Sequence, residues 1–255
     1  MSVVLDIKGL TKTYDNGTRA LKGVDVQIRE GEFLAVIGLS GSGKSTFLRC
    51  LNMLVQPTSG SIRFRDTEVT ALRGQELREY RSGIGMIFQH FNLVKRRTVL
   101  ENVLAGCLSS TGTLASIGGR FSKQDREQAL ANLDIVGIRD KADLRADALS
   151  GGQQQRVAIA RSLMQKPAVL LADEPVASLD PATSHSVMKY LEYMNKELGT
   201  TVVCNLHFLS LVREYSTRVI ALRDGMVVFE GKPEQITEQW FKEIYGEDAV
   251  EVEIR

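Results

Sequence analysis

Apolar and polar residues alternate over Val3 to Ile7 and again over Val24 to Ile28, a period of two that predicts half-buried strands of an antiparallel layer. Between them, Lys12-Thr13-Tyr14-Asp15-Asn16-Gly17 reads as a turn, and Tyr14 by itself as an aromatic packing on the surface. The pattern then changes to a continuous apolar run, Phe33-Leu34-Ala35-Val36-Ile37, followed by a glycine-rich loop and by Phe47-Leu48-Arg49-Cys50-Leu51. That order predicts strand, loop, helix. Pro57-Thr58-Ser59-Gly60 breaks the chain, Ser61 to Phe64 reads as another strand, and Glu76 to Arg81 as a polar helix. A buried strand, Ile84 to Phe88, ends at Gln89.

From about Asn92 to Gln165 the spacing turns helical, in Val99 to Leu104 and Gln128 to Leu133, with almost no β-branched runs. This predicts a helical subdomain inserted into an α/β core, with a surface loop at Ser109 to Gly119, which is rich in Ser, Thr and Gly. The core resumes at Val169 to Ala172, a short run suited to a strand covered on both faces. A helix at 182–197, strands at Thr201 to Cys204 and Arg218 to Leu222, and a hairpin-like turn at Asp224-Gly225 follow; the segment from Pro233 reads as short and charged. The rhythm predicts one α/β domain over 1–255, in which 1–91 and 166–255 form a P-loop core with an antiparallel β subdomain and about 92–165 the helical insert.

Composition narrows the class. Of 255 residues, 43% are hydrophobic and 25% charged, which suits a soluble globular chain with a full core. A net charge of +1 supplies no global field, so no nucleic-acid partner is expected and any anion must be held by local geometry. No run approaches the about 18 apolar residues of a membrane span, and the first residues lack a basic segment followed by an apolar one, so neither a span nor a signal peptide is expected. Cys50, Cys107 and Cys204 are odd in number, far apart and set among apolar neighbours, which suits reduced core thiols.

The candidate chemistry starts at Gly38-Leu39-Ser40-Gly41-Ser42-Gly43-Lys44-Ser45-Thr46. Glycines let successive N–H groups point inward as a nest, the helix that follows adds its positive end, Lys44 reaches terminal phosphates as a point charge, and the Ser45 hydroxyl is expected on Mg²⁺. The plainer alternative, a Gly/Ser linker, does not account for the strand before it and the apolar helix after it. Downstream, Ala168 to Glu174 sets two acids at the C-terminal end of a buried strand, where open α/β sheets carry their ligand crevice. Such a pair alone is more often a solvated strand end. Joined to a phosphate loop, Asp173 fits the carboxylate near Mg²⁺ and Glu174 the general base for an attacking water.

Leu149-Ser150-Gly151-Gly152-Gln153 opens a further apolar-striped helix, Gln154 to Met164, and repeats the design of the first cradle: a serine hydroxyl, glycine N–H groups and a helix N-terminus. A serine cap on a Gly-Gly helix start is the plain alternative. One nucleotide does not need two cradles, so the second is expected to serve a nucleotide held by another copy of the chain, two copies trapping two ATP molecules about a two-fold axis.

In their order and over nearly the whole chain, these motifs resemble the nucleotide-binding subunits of ABC transporters, whose signature is the Leu149 to Gln153 string. The resemblance implies an ABC ATPase fold in which Tyr14 stacks on adenine, Gln89 reaches Mg²⁺ and senses the γ-phosphate, Ser178-Leu179-Asp180 couples the two sites, and His207 contacts the γ-phosphate. As a lone residue His207 reads as a strand-end histidine. Many relatives have Thr-His-Asp where this chain has Asn205-Leu206-His207-Phe208. That form, together with Gln89 to Val94, Phe121 to Arg126 and Glu174 to Asp180, is similar to the phosphonate and phosphite importers of bacteria. It implies a Mg²⁺- and ATP-dependent ATPase subunit that powers uptake of a small oxyanion, docked near Gln89 and the helical insert on an integral-membrane permease at the cytoplasmic face of the inner membrane, with an external substrate-binding protein as indirect partner. A polar amino-acid importer is the nearest alternative, and a soluble ABC ATPase acting on ribosomes or DNA the alternative from another class; the second usually carries two ATPase units or a long coiled-coil insert, and this chain has neither. A small-molecule kinase would leave the second cradle without a task.

Overall fold

The computed structural model describes residues 2–109, 121–177 and 179–246; most of the loop expected at Ser109 to Gly119, the coupling residue Ser178 and the last nine residues lie outside them. Strands β1 (Val3–Thr13), β2 (Arg19–Arg29), β4 (Ser59–Phe64) and β5 (Thr67–Glu68) form a four-stranded antiparallel sheet in the order β2-β1-β4-β5. The predicted alternation sets its register: Leu5 lies opposite Ile28, Ile7 opposite Val26 and Leu10 opposite Val24, all buried. Apolar cross-strand pairs on one face are what holds such a layer to a core.

The second sheet has six strands in the order β10-β9-β3-β8-β7-β6. Its members are β3 (Phe33–Ile37), β6 (Ile84–Ile87), β7 (Val169–Ala172), β8 (Thr201–Asn205), β9 (Arg218–Arg223) and β10 (Met226–Gly231). All neighbours are parallel except β10, which returns antiparallel to β9 through Asp224 and Gly225, both at positive φ. Every residue of β3, β6, β7 and β8 is buried, as continuous apolar runs require of strands covered on both faces. Alternate residues of β3 serve opposite layers. Leu34 and Val36 pack with Phe47, Leu48 and Leu51 of α1 (Lys44–Leu51) and with the antiparallel sheet. Phe33, Ala35 and Ile37 face a second cluster that includes Val99, Val103 and Leu104 of α3 (Val99–Leu104), Ala129 and Leu133 of α4 (Lys123–Ile135), and Val157 and Ile159 of α5 (Gly151–Gln165).

Helix ends follow local chemistry. Thr98 with Glu101, Ser122 with Asp125, and Ser150 with Gln153 close three capping boxes at the starts of α3, α4 and α5. The polar helix α2 spans Gly74–Ser82, and α6 (Pro181–Lys196) is capped by Asp180 and opens on proline, whose missing N–H costs nothing at a first position. Helix α7 is Leu209–Tyr215. The closing segment differs from its expected short, charged character: α8 (Glu238–Tyr245) buries Ile244 and sets the Trp240 ring edge-on to Phe229, with centroids 5.0 Å apart. Its apolar residues share one helical face, which the intervening charges mask when the chain is read linearly. Cys50, Cys107 and Cys204 are buried and form no disulfide, and no helix among the described residues is long and apolar enough to cross a membrane.

Candidate nucleotide site

The loop between β3 and α1 has its shape because two glycines leave no room for a side chain. Gly38 takes φ 138° and a Cβ there would lie 2.1 Å from the Leu222 carbonyl oxygen; Gly43 takes φ 106° and a Cβ would lie 2.4 Å from that of Ala20. Leu39, Ser40 and Gly41 form the exposed crest of the loop, and Ser42 is buried beneath it. Lys44, 4% exposed, turns back and donates from Nζ to the Gly38 and Leu39 carbonyls at 2.8 and 3.0 Å. Burial holds its ammonium below the usual lysine range, while Glu174 and Asp173 pull it the other way. A desolvated cation therefore stands at the mouth of the loop, within the field of both acids.

Asp173 follows the last residue of β7, and its backbone N–H reaches the Ile87 carbonyl at 2.9 Å, which ties the ends of β6 and β7 together. Its carboxylate is 1% exposed and held from three sides. Oδ1 accepts from Ser45 Oγ at 2.7 Å and from Asn205 Nδ2 at 2.7 Å, and Oδ2 meets the Arg49 guanidinium at 3.3 Å. Glu174 adopts φ 51°, a left-handed conformation that costs a non-glycine residue roughly 1–3 kcal/mol and marks functional turns. Its Oε1 lies 2.8 Å from His207 Nε2. His207 thus stands two residues past β8, the strand-end position read for it, and contacts Glu174. Gln89 is half-buried, two residues beyond Ile87.

Tyr14 is also a turn residue, with its N–H on the Thr18 carbonyl, yet its hydroxyl meets Thr46 Oγ1 at 3.1 Å, and the Lys12 ammonium lies 5.1 Å from its ring centroid. The structure therefore brings Tyr14, Lys44, Ser45, Thr46, Asp173, Glu174 and His207 to the C-terminal ends of the parallel strands. The second cradle makes its described bonds elsewhere. Leu149 is buried, Ser150 and Gly151 are exposed, and Ser150 and Gln153 bond each other as a cap; no described hydrogen bond joins Ser150 to Gln153 with the phosphate loop. Gly152 abuts α6, where a Cβ would lie 2.8 Å from Thr183 Cγ2. Asp180 accepts from the Thr183 N–H at 3.0 Å and from its hydroxyl at 2.6 Å, and those bonds, the hydroxyl's first, hold its carboxyl below the usual range. Leu179 is half-buried beside it.

Four contributors escaped the sequence reading. Arg49 could have been found, because it lies four residues after Ser45 and so on the same face of α1. Asn205 was visible as a polar end to an apolar strand. Gln155, fully buried, donates from Nε2 to the Pro175 carbonyl at 2.8 Å, just beyond Glu174. Arg161 donates to the Phe91 and Asn92 carbonyls at 3.0 and 2.7 Å, just beyond Gln89, where both residues have positive φ. These two carried no local signal, because their partners are carbonyls distant in sequence.

A model of the ABC transporter family matches residues 21–177. The Phosphonates import ATP-binding protein PhnC of Bdellovibrio bacteriovorus is 60% identical over 250 residues, spanning 98% of this chain and 96% of that protein. PhnC of Shouchella clausii is 52% identical, spanning 98% and 94%. Among solved structures, the ATP-binding cassette MJ0796, dimeric and bound to ADP and Pi in a post-hydrolysis state, aligns with a TM-score of 0.81 and 38% identity over 90% of this chain and 98% of that one. The ADP conformation of MJ1267, an ATP-binding cassette of an ABC transporter, aligns with a TM-score of 0.81 and 27% identity over 96% and 97%. With a phosphate loop, an acid pair and a glycine-led signature helix arranged on this sheet, the chain belongs to the ABC transporter family.

Proposed function

We propose that this chain is the ATP-hydrolysing subunit of a bacterial importer for a small oxyanion, a phosphonate or phosphite. The observation that carries the reading is the meeting of Ser45 with Asp173 and of Glu174 with His207 beside the phosphate loop, in a chain whose relatives bear a phosphonates-import name. The loop N–H groups of residues 38–43 and the Lys44 ammonium hold the triphosphate, and Tyr14 supports the adenine. Ser45, Asp173 and the Gln89 amide offer only hard oxygen donors, and the buried Asn205 Oδ1 accepts no bond from the described residues, a set that fits magnesium. Bound there, Mg²⁺ would neutralise charge on the phosphate oxygens. Glu174 takes the proton of the attacking water, and His207, bonded to it, holds the base in orientation until the γ-phosphate arrives.

The second cradle completes the partner copy's site. Ser150 and Gly151 stand exposed, with Gly152 half-buried behind them, at the positive end of a fifteen-residue helix, suited to the γ-phosphate held by the second chain, with Leu179 and Asp180 at the seam. The helical insert carries this cradle. At the far end of the same helix, a groove of about 400 Å³ lined by Arg78, Arg81, Leu108, Arg161 and Gln165, with Leu108 45% exposed, suits the docking of the permease at the cytoplasmic face of the membrane. Substrate contacts then belong to the permease and an external binding protein.

The test is Glu174→Gln. ATP binding and the ATP-dependent dimer are retained, and hydrolysis in the reconstituted transporter falls on the order of 10²–10⁴-fold, the scale of a positioned general base. Full turnover in that variant rejects the assignment. Stimulation of the wild-type transporter by phosphonates, and not by amino acids, tests the substrate class.

A further inference from the structure

The departure at Asn205-Leu206-His207-Phe208 has a structural counterpart. Leu206 is buried, and Phe208, which stands where many relatives carry aspartate, packs against the apolar cluster ahead of α7. Asn205 is different. It ends the central strand β8 with no exposed surface, where an apolar side chain would satisfy the packing, yet it carries an amide. That amide donates from Nδ2 to Asp173 Oδ1 at 2.7 Å, on the oxygen that also accepts from Ser45 at 2.7 Å. With the amide turned the other way, its oxygen would face a carboxylate, so the carboxylate itself dictates which end donates. The other end, Oδ1, is buried and accepts no hydrogen bond from the described residues. An acceptor left in that position is destabilising, which a packing role alone does not explain.

We infer that Asn205 is a positioning residue for the Asp173 carboxylate, fixing the orientation in which that group and Ser45 receive a divalent cation. The inference rests on the functional reading above. Two donors on one oxygen, with the Arg49 guanidinium on the other, leave the carboxylate little rotational freedom before the ion arrives. Outer-sphere partners of this kind typically change metal affinity by about 10–100-fold when removed.

The experiment is a Mn²⁺ titration of the full chain with a non-hydrolysable ATP analogue, read by electron paramagnetic resonance, alongside ATP-analogue binding in EDTA and thermal unfolding. In Asn205→Val, which retains a β-branched side chain suited to a central strand, the Mn²⁺ Kd rises about tenfold or more, while analogue binding in EDTA stays within about twofold. Asn205→Thr, which restores one hydroxyl donor, recovers part of the loss and keeps the inference testable should the valine variant fold poorly. Unchanged Mn²⁺ affinity in folded Asn205→Val or Asn205→Thr, with only a lower Tm, overturns the inference and makes Asn205 a packing residue. A wild-type chain whose analogue binding ignores the divalent ion overturns the functional reading instead.

Discussion

At the scale of single residues, backbone geometry constrains the site as firmly as side-chain chemistry does. Gly38 combines φ 138° with a backbone oxygen 2.1 Å from where a Cβ would stand, so even alanine must push β3 and β9 apart. Gly38→Ala is expected to lose at least about 2 kcal/mol of stability, by strain and overpacking together, and to bind ATP more weakly; calorimetry and nucleotide titration check this. An unchanged Tm would mean that the loop can move aside. His207 is the counter-case, since it is half-exposed and its contact is chemical. His207→Gln is expected to leave Tm near that of wild type and to slow hydrolysis on the order of 10²-fold, because Glu174 loses the partner 2.8 Å away.

At the scale of elements, α5 is the member that joins the separate loops. Its N-terminus carries Ser150, its middle holds Pro175 through Gln155, and its far half holds Phe91 and Asn92 through Arg161. One helix thus touches the segments following Gln89 and Glu174 and also carries the Ser150 cradle at its start. Gln155→Leu strands the Pro175 carbonyl and is expected to cost about 1–3 kcal/mol, with hydrolysis reduced because the base-bearing turn is released; thermal unfolding and steady-state rates would reveal it. The start of α6 shows a pH dependence of known sign. The Thr183 bonds depress the Asp180 carboxyl in the folded chain, so their contribution is present above the unfolded value of about 3.9 and is lost as pH falls through the lower folded value. Asp180→Asn should therefore lower stability at neutral pH and leave it comparatively unaffected at low pH, where the wild-type carboxyl is already protonated, which flattens the acid limb; thermal unfolding followed across pH checks this.

At the scale of the whole molecule, the phosphate loop and the Ser150 cradle lie on one chain without a described bond between them, and the proposed self-complementary pairing would give the second cradle its task. A mixed dimer of one Lys44→Ala chain and one Ser150→Arg chain puts both defects in the same composite site and leaves the other site whole. Such a dimer is expected to trap one ATP, whereas the dimer of two Lys44→Ala chains traps none. Mixed dimers that retain no competent site would show that each defect stays within its own chain, and the shared-site arrangement would fall.

Much of this is legible in the amino-acid sequence. The buried runs at 33–37 and 169–172, the nest at 38–43 and the glycines at 151–152 capped by Ser150 depend on contiguous residues, because hydrogen-bonded turns, helix caps and strand alternation are decided within a few positions. The pairing of β1 with β2 followed from the same periodicity. Other features left no such trace. Asn205 on Asp173, Gln155 on Pro175, Arg161 on the segment after Gln89 and the aromatic packing of α8 join groups far apart in the chain or hidden among charges. Sequence alone determined the strands, the phosphate-binding loop and the family motifs, whose energetics are local. Tertiary packing decided which oxygen of Asp173 meets which donor and how one helix ties the loops together, because those bonds form only after distant strands have been brought side by side.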